Sequence, residues 1–184
     1  CPALAMTSSR FWAVSLLVSV VGLAAEAASA PTVRTAAGEV VGFRSVQDNG
    51  ISVASYLGIP YAESAAGGNR FLPPKPRAAW TTPLQTTEFP PGCIQIGDNA
   101  DVPKLQSEDC LALNVFVPEM NADRLKPVAV FFHGGGFKEG SSKGPFGLYS
   151  SEFVAAHGDV VVVTAQYRLG ALGFCDLGSH LGGD

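Results

Sequence analysis

The sequence predicts an α/β fold, and three observations carry that expectation. Two apolar runs, "VAVFF" at 128–132 and "VVVVTA" at 160–165, are continuous rather than alternating. Such a run is the pattern of a strand covered on both faces, as in the centre of a mixed or parallel sheet. Between them "SSEFVAAHG" reads as a two-turn helix, with Ser150 or Ser151 as N-cap and Gly158 just past its end. Upstream, "GEVVGFRS" and "ISVASYLGI" are β-rich runs flanking "VQDNG", whose Asn49-Gly50 is a strong turn dipeptide. The sheet is therefore expected to be reached through an antiparallel hairpin.

The elements between follow from their punctuation. "IPYAESAAGGNRFLPPKPRAAW" holds too many Pro and Gly for regular structure and reads as a packed loop. "LALNVFVP" is a strand stopped by Pro118, and "PVAVFFH" is a strand bounded by Pro127 and by glycines. There is no internal repeat, heptad pattern or low-complexity tract.

Composition narrows the class. The chain has 184 residues, 47% hydrophobic and 15% charged, with a net charge of −4. That is a globular balance with enough chain for one core. No Lys/Arg run occurs, which argues against nucleic acid or an anionic membrane as partner.

Residues 6–27 read as a secretory leader. Arg10 precedes "FWAVSLLVSVVGLAA", and small residues follow in "EAASA". The apolar stretch is shorter than the roughly 20 residues that span a bilayer, so no transmembrane segment is expected; a buried core helix is the alternative. Cleavage after Ala27 is preferred over Ala30, because Pro31 would be a rigid first residue. Residues 1–5 precede Met6 and read as upstream read-through, and 31–184 as the body of the domain. Export places Cys93, Cys110 and Cys175 in an oxidising compartment, and three leaves one unpaired within the chain. No N-x-S/T sequon is present.

Chemistry concentrates in "HGGGF", residues 133–137, directly after a strand end, where open α/β sheets bind ligands. Gly is used where backbone needs φ > 0 or a close approach. Consecutive glycines leave N–H groups uncovered, and converging N–H donors stabilise the oxyanion of acyl transfer. A His-Gly-Gly-Gly loop has this role in lipases and esterases. A phosphate-binding loop is the rival, but neither G-x-x-x-x-G-K-[ST] nor G-x-G-x-x-G occurs in a suitable setting; a tight turn without chemistry is the plain alternative.

Several motifs together resemble the type-B carboxylesterase and cholinesterase family. "SEDCLALNVFVP" is similar to its E-D-C-L-x-L-N signature. "LGIPYAESAAGGNRFLPPKP" is similar to its G-I-P-Y/F-A segment with the following Arg-Phe-x-x-Pro. "VVVTAQYRLGALGF" is similar to V-V-V-x-x-N-Y-R-x-G-A-x-G-F. With the glycine loop, the motifs run in family order across 32–175. The resemblance implies the amino-terminal part of an α/β-hydrolase, with a mixed, mostly parallel sheet, and ester hydrolysis through a Ser–Glu–His triad without a cofactor or metal.

Residue by residue, it implies that Gly135 and Gly136 are the oxyanion donors. Gly134 would supply the turn that lets them converge, and Phe137 would line the acyl side of the gorge. It implies a Cys93–Cys110 disulfide, worth about 3 kcal/mol in the chain-entropy model. It also implies structural ion pairs of Arg70 with Glu108 and of Arg168 with Asp109, a buried thiol at Cys175, and packing roles for Tyr167 and Trp80. Ala112 and Gln166 depart from the family pattern, away from the donors. The loop "IQIGDNADVPKLQSED" has no Trp, Tyr or Phe. Cholinesterases use an aromatic there to hold a quaternary ammonium by cation–π attraction. A choline ester specialist is therefore disfavoured and a general carboxylesterase preferred; a small apolar carboxylic ester is the substrate that the resemblance implies.

The triad itself is not visible. "GSSKG" at 140–144 satisfies G-x-S-x-G with Ser142 at its centre, but no strand precedes it and Pro145 and Gly147 follow, so the match reads as accidental. His133 is expected to brace the loop by hydrogen bonds. His157 ends a helix and His180 lies in a glycine-rich tail, neither in the place of a catalytic base. The chain thus reads as an inactive fragment of a secreted esterase that contributes the oxyanion hole. The alternatives are a catalytically dead, cholinesterase-like adhesion or binding ectodomain, and a short mature secreted protein.

Overall fold

In the computed structural model, residues 29–97, 102–121, 123–144 and 151–175 are described. The expected leader, His180 and the "GSHLGGD" tail lie outside them. Among the described residues there are ten strands: β1 (Thr32–Arg34), β2 (Glu39–Val41), β3 (Phe43–Val46), β4 (Ser52–Pro60), β5 (Leu84–Gln85), β6 (Gly92–Cys93), β7 (Gln106–Ser107), β8 (Ala112–Pro118), β9 (Val128–Phe132) and β10 (Val161–Ala165). Two helices, α1 (Ser151–Gly158) and α2 (Gly170–Phe174), flank β10. The fold is α/β.

The main sheet has the order β3-β4-β8-β10-β9. β3 and β4 form the expected antiparallel hairpin, with Phe43 opposite Ser55 and Val46 opposite Ser52. Its turn closes through Gln47 N–H to the Ile51 carbonyl and Gly50 N–H to the Gln47 carbonyl, both 2.9 Å, with Gly50 at φ +78°. β4–β8 and β8–β10 are antiparallel, and β10–β9 is parallel, so the sheet is mixed. "GEVVGFRS" is two strands rather than one. The break falls at Gly42, where a Cβ would sit 2.2 Å from the Ser55 carbonyl oxygen. β2 instead joins β1 and β5 in a separate three-stranded sheet.

Both faces of the inner strands are covered. On one, Ala155 and Ala156 of α1 pack against Val53, Leu57, Phe116 and Val162. On the other, Val40 of the small sheet packs with Ala54 and Tyr56, beside Trp80, Leu84 and Val115. The Trp80 indole N–H also donates to the Glu39 carbonyl at 2.8 Å, so this packing residue ties the loop to the small sheet. A third cluster surrounds the Cys93–Cys110 disulfide with Ala62, Ala65, Leu111 and Leu169.

Two expectations are corrected here. The run "VAVFF" was read as buried on both faces, yet all of β9 is exposed, with Val128 at 61% and Phe132 at 64%. Among the described residues β9 is an edge strand paired with β10 alone, and α1 covers the inner strands instead. The left-handed residue after α1 is Asp159 at φ +48°, not Gly158. Asp tolerates this region better than most residues, and Asp159 is further held by Asn121, Arg124 and Lys126.

Candidate functional site

β9 ends at Phe132, and the chain then bends sharply through 133–140. Gly135 has φ +119° and Gly136 φ +61°, whereas Gly134 has no positive φ. A Cβ on Gly135 would lie 1.9 Å from the Glu139 carbonyl oxygen; one on Gly134 or Gly136 would meet nothing within 4 Å. The turn expected at Gly134 is therefore made by the next two residues. Phe137 continues it at φ +62°, an uncommon conformation for a bulky residue.

The hydrogen bonds of this loop are asymmetric. Its early carbonyls are occupied: Gly134 accepts from His133 Nδ1 at 2.9 Å, and Gly135 accepts from the amides of Lys138 and Glu139 at 3.1 and 3.2 Å. Among the described residues, no acceptor faces the amides of Gly134, Gly135 or Gly136. All three glycines are exposed. Three neighbouring N–H groups are thus left open at the C-terminal end of a parallel strand, the end where α/β sheets place their ligands.

The surroundings brace the loop. His133 is 3% exposed and its Nδ1 carries the proton given to Gly134. Burial pushes its pKa below the ordinary 6.5, only partly offset by that bond, which favours the neutral ring. Its Nε2 is a buried acceptor with no partner among the described residues. The expected bracing role fits this geometry. Phe137 stays exposed, its ring edge-on to Phe174 at 5.0 Å, and its carbonyl accepts the Gly170 amide of α2 at 2.7 Å.

Ser142 is buried, and its Oγ accepts from Asn114 Nδ2 at 3.0 Å. Asn114 also donates to Thr164 Oγ1 at 2.9 Å and accepts from the Gly58 amide at 2.9 Å. Ser142 therefore belongs to a polar knot of the core, not to a nucleophile elbow. His157 is also away from the loop: it stacks on Phe153, and its Nδ1 lies 3.0 Å from the Phe153 carbonyl.

Arg70 and Glu108 pair as expected, through two bonds of 2.5 and 2.7 Å. The second expected pair does not form. Arg168 donates to the Leu72 carbonyl at 3.0 Å, and the Asp109 amide donates to Ser107 Oγ at 3.0 Å. Arg168 thus ties the proline-rich loop to the segment after β10 without a carboxylate. Cys175, expected to be buried, is exposed: it follows α2 beside Phe174, which is itself 55% exposed. An open hollow of about 500 Å³ between β4, β8 and the segment 85–91 is lined by none of Gly134, Gly135 and Gly136. No His/Cys/Asp/Glu group able to hold a metal occurs among the described residues, and no helix there is long and apolar enough to cross a membrane.

The sequence gives little sign of the hydrogen bonds made by three residues, Tyr167, Gln166 and Gln95. Tyr167, read as packing, also donates to the His133 carbonyl at 2.6 Å. Gln166, a departure from the family pattern, accepts the Ser142 amide at 3.1 Å and donates to the Pro91 carbonyl at 3.3 Å. Gln95 holds the Gly140 peptide. Only the position of Gln166 and Tyr167 directly after a strand signalled them.

Comparison with known proteins follows the same lines. A model of the carboxylesterase family matches residues 29–183. Carboxylesterase 1D of Rattus norvegicus is 38% identical over 166 residues, covering 83% of this chain and 29% of that protein. Acetylcholinesterase-1 of Trittame loki is 36% identical over 175 residues, 89% of this chain and 31% of that protein. Neuroligin-2 of Mus musculus is 34% identical over 190 residues, 82% of this chain and 22% of that protein. The chain spans less than a third of the length of these relatives. Matched by the family model over residues 29–183, the chain belongs to the carboxylesterase family.

Proposed function

We propose that this chain is the amino-terminal part of a secreted serine carboxylesterase and contributes its oxyanion hole. The observation that carries this reading is that the amides of Gly134–Gly136 meet no acceptor among the described residues, while the carbonyls of Gly134 and Gly135 are already engaged. Gly135 and Gly136 would donate to the oxygen that becomes negative as an acyl-enzyme forms and breaks. Phe137 would flank the acyl group. The serine nucleophile, acid and base would come from further sequence. The exposed, wholly apolar β9 supports this, because its open edge can accept another strand.

The Cys93–Cys110 disulfide supports an exported protein. The absence of an aromatic residue from the loop it closes favours a small apolar carboxylic ester over a choline ester. The second reading is an inactive binding ectodomain, with which similarity to Neuroligin-2 is compatible.

The test is hydrolysis of p-nitrophenyl butyrate by the complete polypeptide. Wild type should turn over, and Gly136→Val should lose about 10²–10³ in kcat or more, with its fold retained. Near-normal kcat in the variant would remove the donor assignment, and an inactive wild type would favour the binding ectodomain.

A further inference from the structure

We infer that Gln95, within the disulfide-closed loop, is a positioning residue that locks the far end of the glycine loop; its catalytic meaning rests on the esterase reading above. The Gln95 side-chain amide engages both backbone polar groups of Gly140, one with each of its ends. Oε1 accepts the Gly140 amide at 2.7 Å, and Nε2 donates to the Gly140 carbonyl at 2.9 Å. This copies the paired bonds of a β-ladder with a side chain 45 residues away in sequence. Nε2 also donates to the Cys93 carbonyl at 2.9 Å, and the Gln95 amide donates to Gln106 Oε1 at 2.9 Å. The clamp is therefore anchored beside the disulfide and across its closed loop.

Gly140 is where such a clamp has leverage. Its φ is +114°, and a Cβ there would lie 2.5 Å from His133 Nδ1 and 2.6 Å from the Gly134 carbonyl oxygen. The last residue of the loop is thus packed against its first two. Tyr167 holds one side of this neck through the His133 carbonyl, and Gln95 holds the other through Gly140. Donors that must not reorganise during reaction need such a fixed frame. Gln has the reach together with both a donor and an acceptor; Met has a similar length with neither, and Glu keeps only the acceptor.

The test uses the complete polypeptide with Gln95→Met and Gln95→Glu. Amide hydrogen exchange is followed by mass spectrometry, and hydrolysis of p-nitrophenyl butyrate is assayed beside it. In Gln95→Met, exchange at the hydrogen-bonded amides of Lys138, Glu139 and Gly140 should rise about ten-fold, the signature of local opening, while β8 and β10 keep their protection. kcat should fall about ten-fold or more with KM changed by less than about two-fold, the pattern of a loss in transition-state stabilisation. Gln95→Glu should show the same local pattern, and it decides the matter if the Met variant does not fold. Unchanged exchange at the amides of Lys138 and Glu139, or equal loosening of β8 and β10, overturns the inference in either variant. If wild type does not hydrolyse the ester, the esterase reading fails, and the exchange comparison alone judges the clamp.

Discussion

The Tyr167 hydroxyl donates a 2.6 Å hydrogen bond to the His133 carbonyl while its ring lies on the His133 imidazole, centroids 4.4 Å apart and planes 20° from parallel. One side chain thus fixes both the backbone and the ring of the residue that opens the glycine loop. Tyr167→Phe keeps the stack and removes the bond. It should lower stability by about 1 kcal/mol and kcat by several-fold, read by urea denaturation and ester hydrolysis. Unchanged values in both would reduce Tyr167 to packing.

The three glycines should not be equivalent. Gly134→Ala meets open space without a positive φ, so ester hydrolysis should stay within about three-fold of wild type. Gly135→Ala drives a methyl into the Glu139 carbonyl and must shift the backbone. Loss of a donor there should cost about 10²–10³ in kcat. Equal tolerance at both positions would contradict the loop geometry.

His133 gives the loop an acid-sensitive point. Its folded pKa lies below its ordinary 6.5 because of burial, so the unfolded chain takes up the proton first. Stability from this residue is present above about pH 6.5 and declines as pH falls from there through the folded pKa. His133→Gln should flatten that part of a stability–pH curve. An unchanged curve would mean that the imidazole is already charged or solvated in the folded state.

Asp159 acts lower on the pH scale. Hydrogen bonds from Lys126 and Asn121 lead in holding its pKa down, to about 2. Its contribution is present above the unfolded value near 3.8 and is lost as pH falls toward 2. Wild type should therefore be more stable than Asp159→Asn at pH 6, with the gap closing by about pH 2. A gap independent of pH would assign the effect to the left-handed turn rather than to charge.

Much of the frame was legible because it rests on local pattern. Asn49-Gly50 marked the hairpin, Pro118 and Pro127 bounded their strands, and "SEFVAAHG" marked α1. The misses are non-local. Burial of β9 could not be read from "VAVFF", because it depends on which strands lie beside it. Gly42 reads as one more strand residue until Ser55 is brought against it. Gln95 carries no periodic or motif signal, and Gln166 shows in the sequence only as a departure from a motif; each becomes informative when the fold sets distant backbone groups opposite its amide. Arg168 shows the converse, a charge whose family pattern pointed to a carboxylate but whose neighbour is the Leu72 carbonyl.

The most direct test of the oxyanion hole is a crystal structure of the complete polypeptide treated with a trifluoromethyl ketone. Such an inhibitor adds to a nucleophilic serine and leaves a negatively charged oxygen. That oxygen should sit about 2.7–3.1 Å from the amides of both Gly135 and Gly136. An adduct whose oxygen is held by other donors, with those two amides facing solvent, would contradict the assignment.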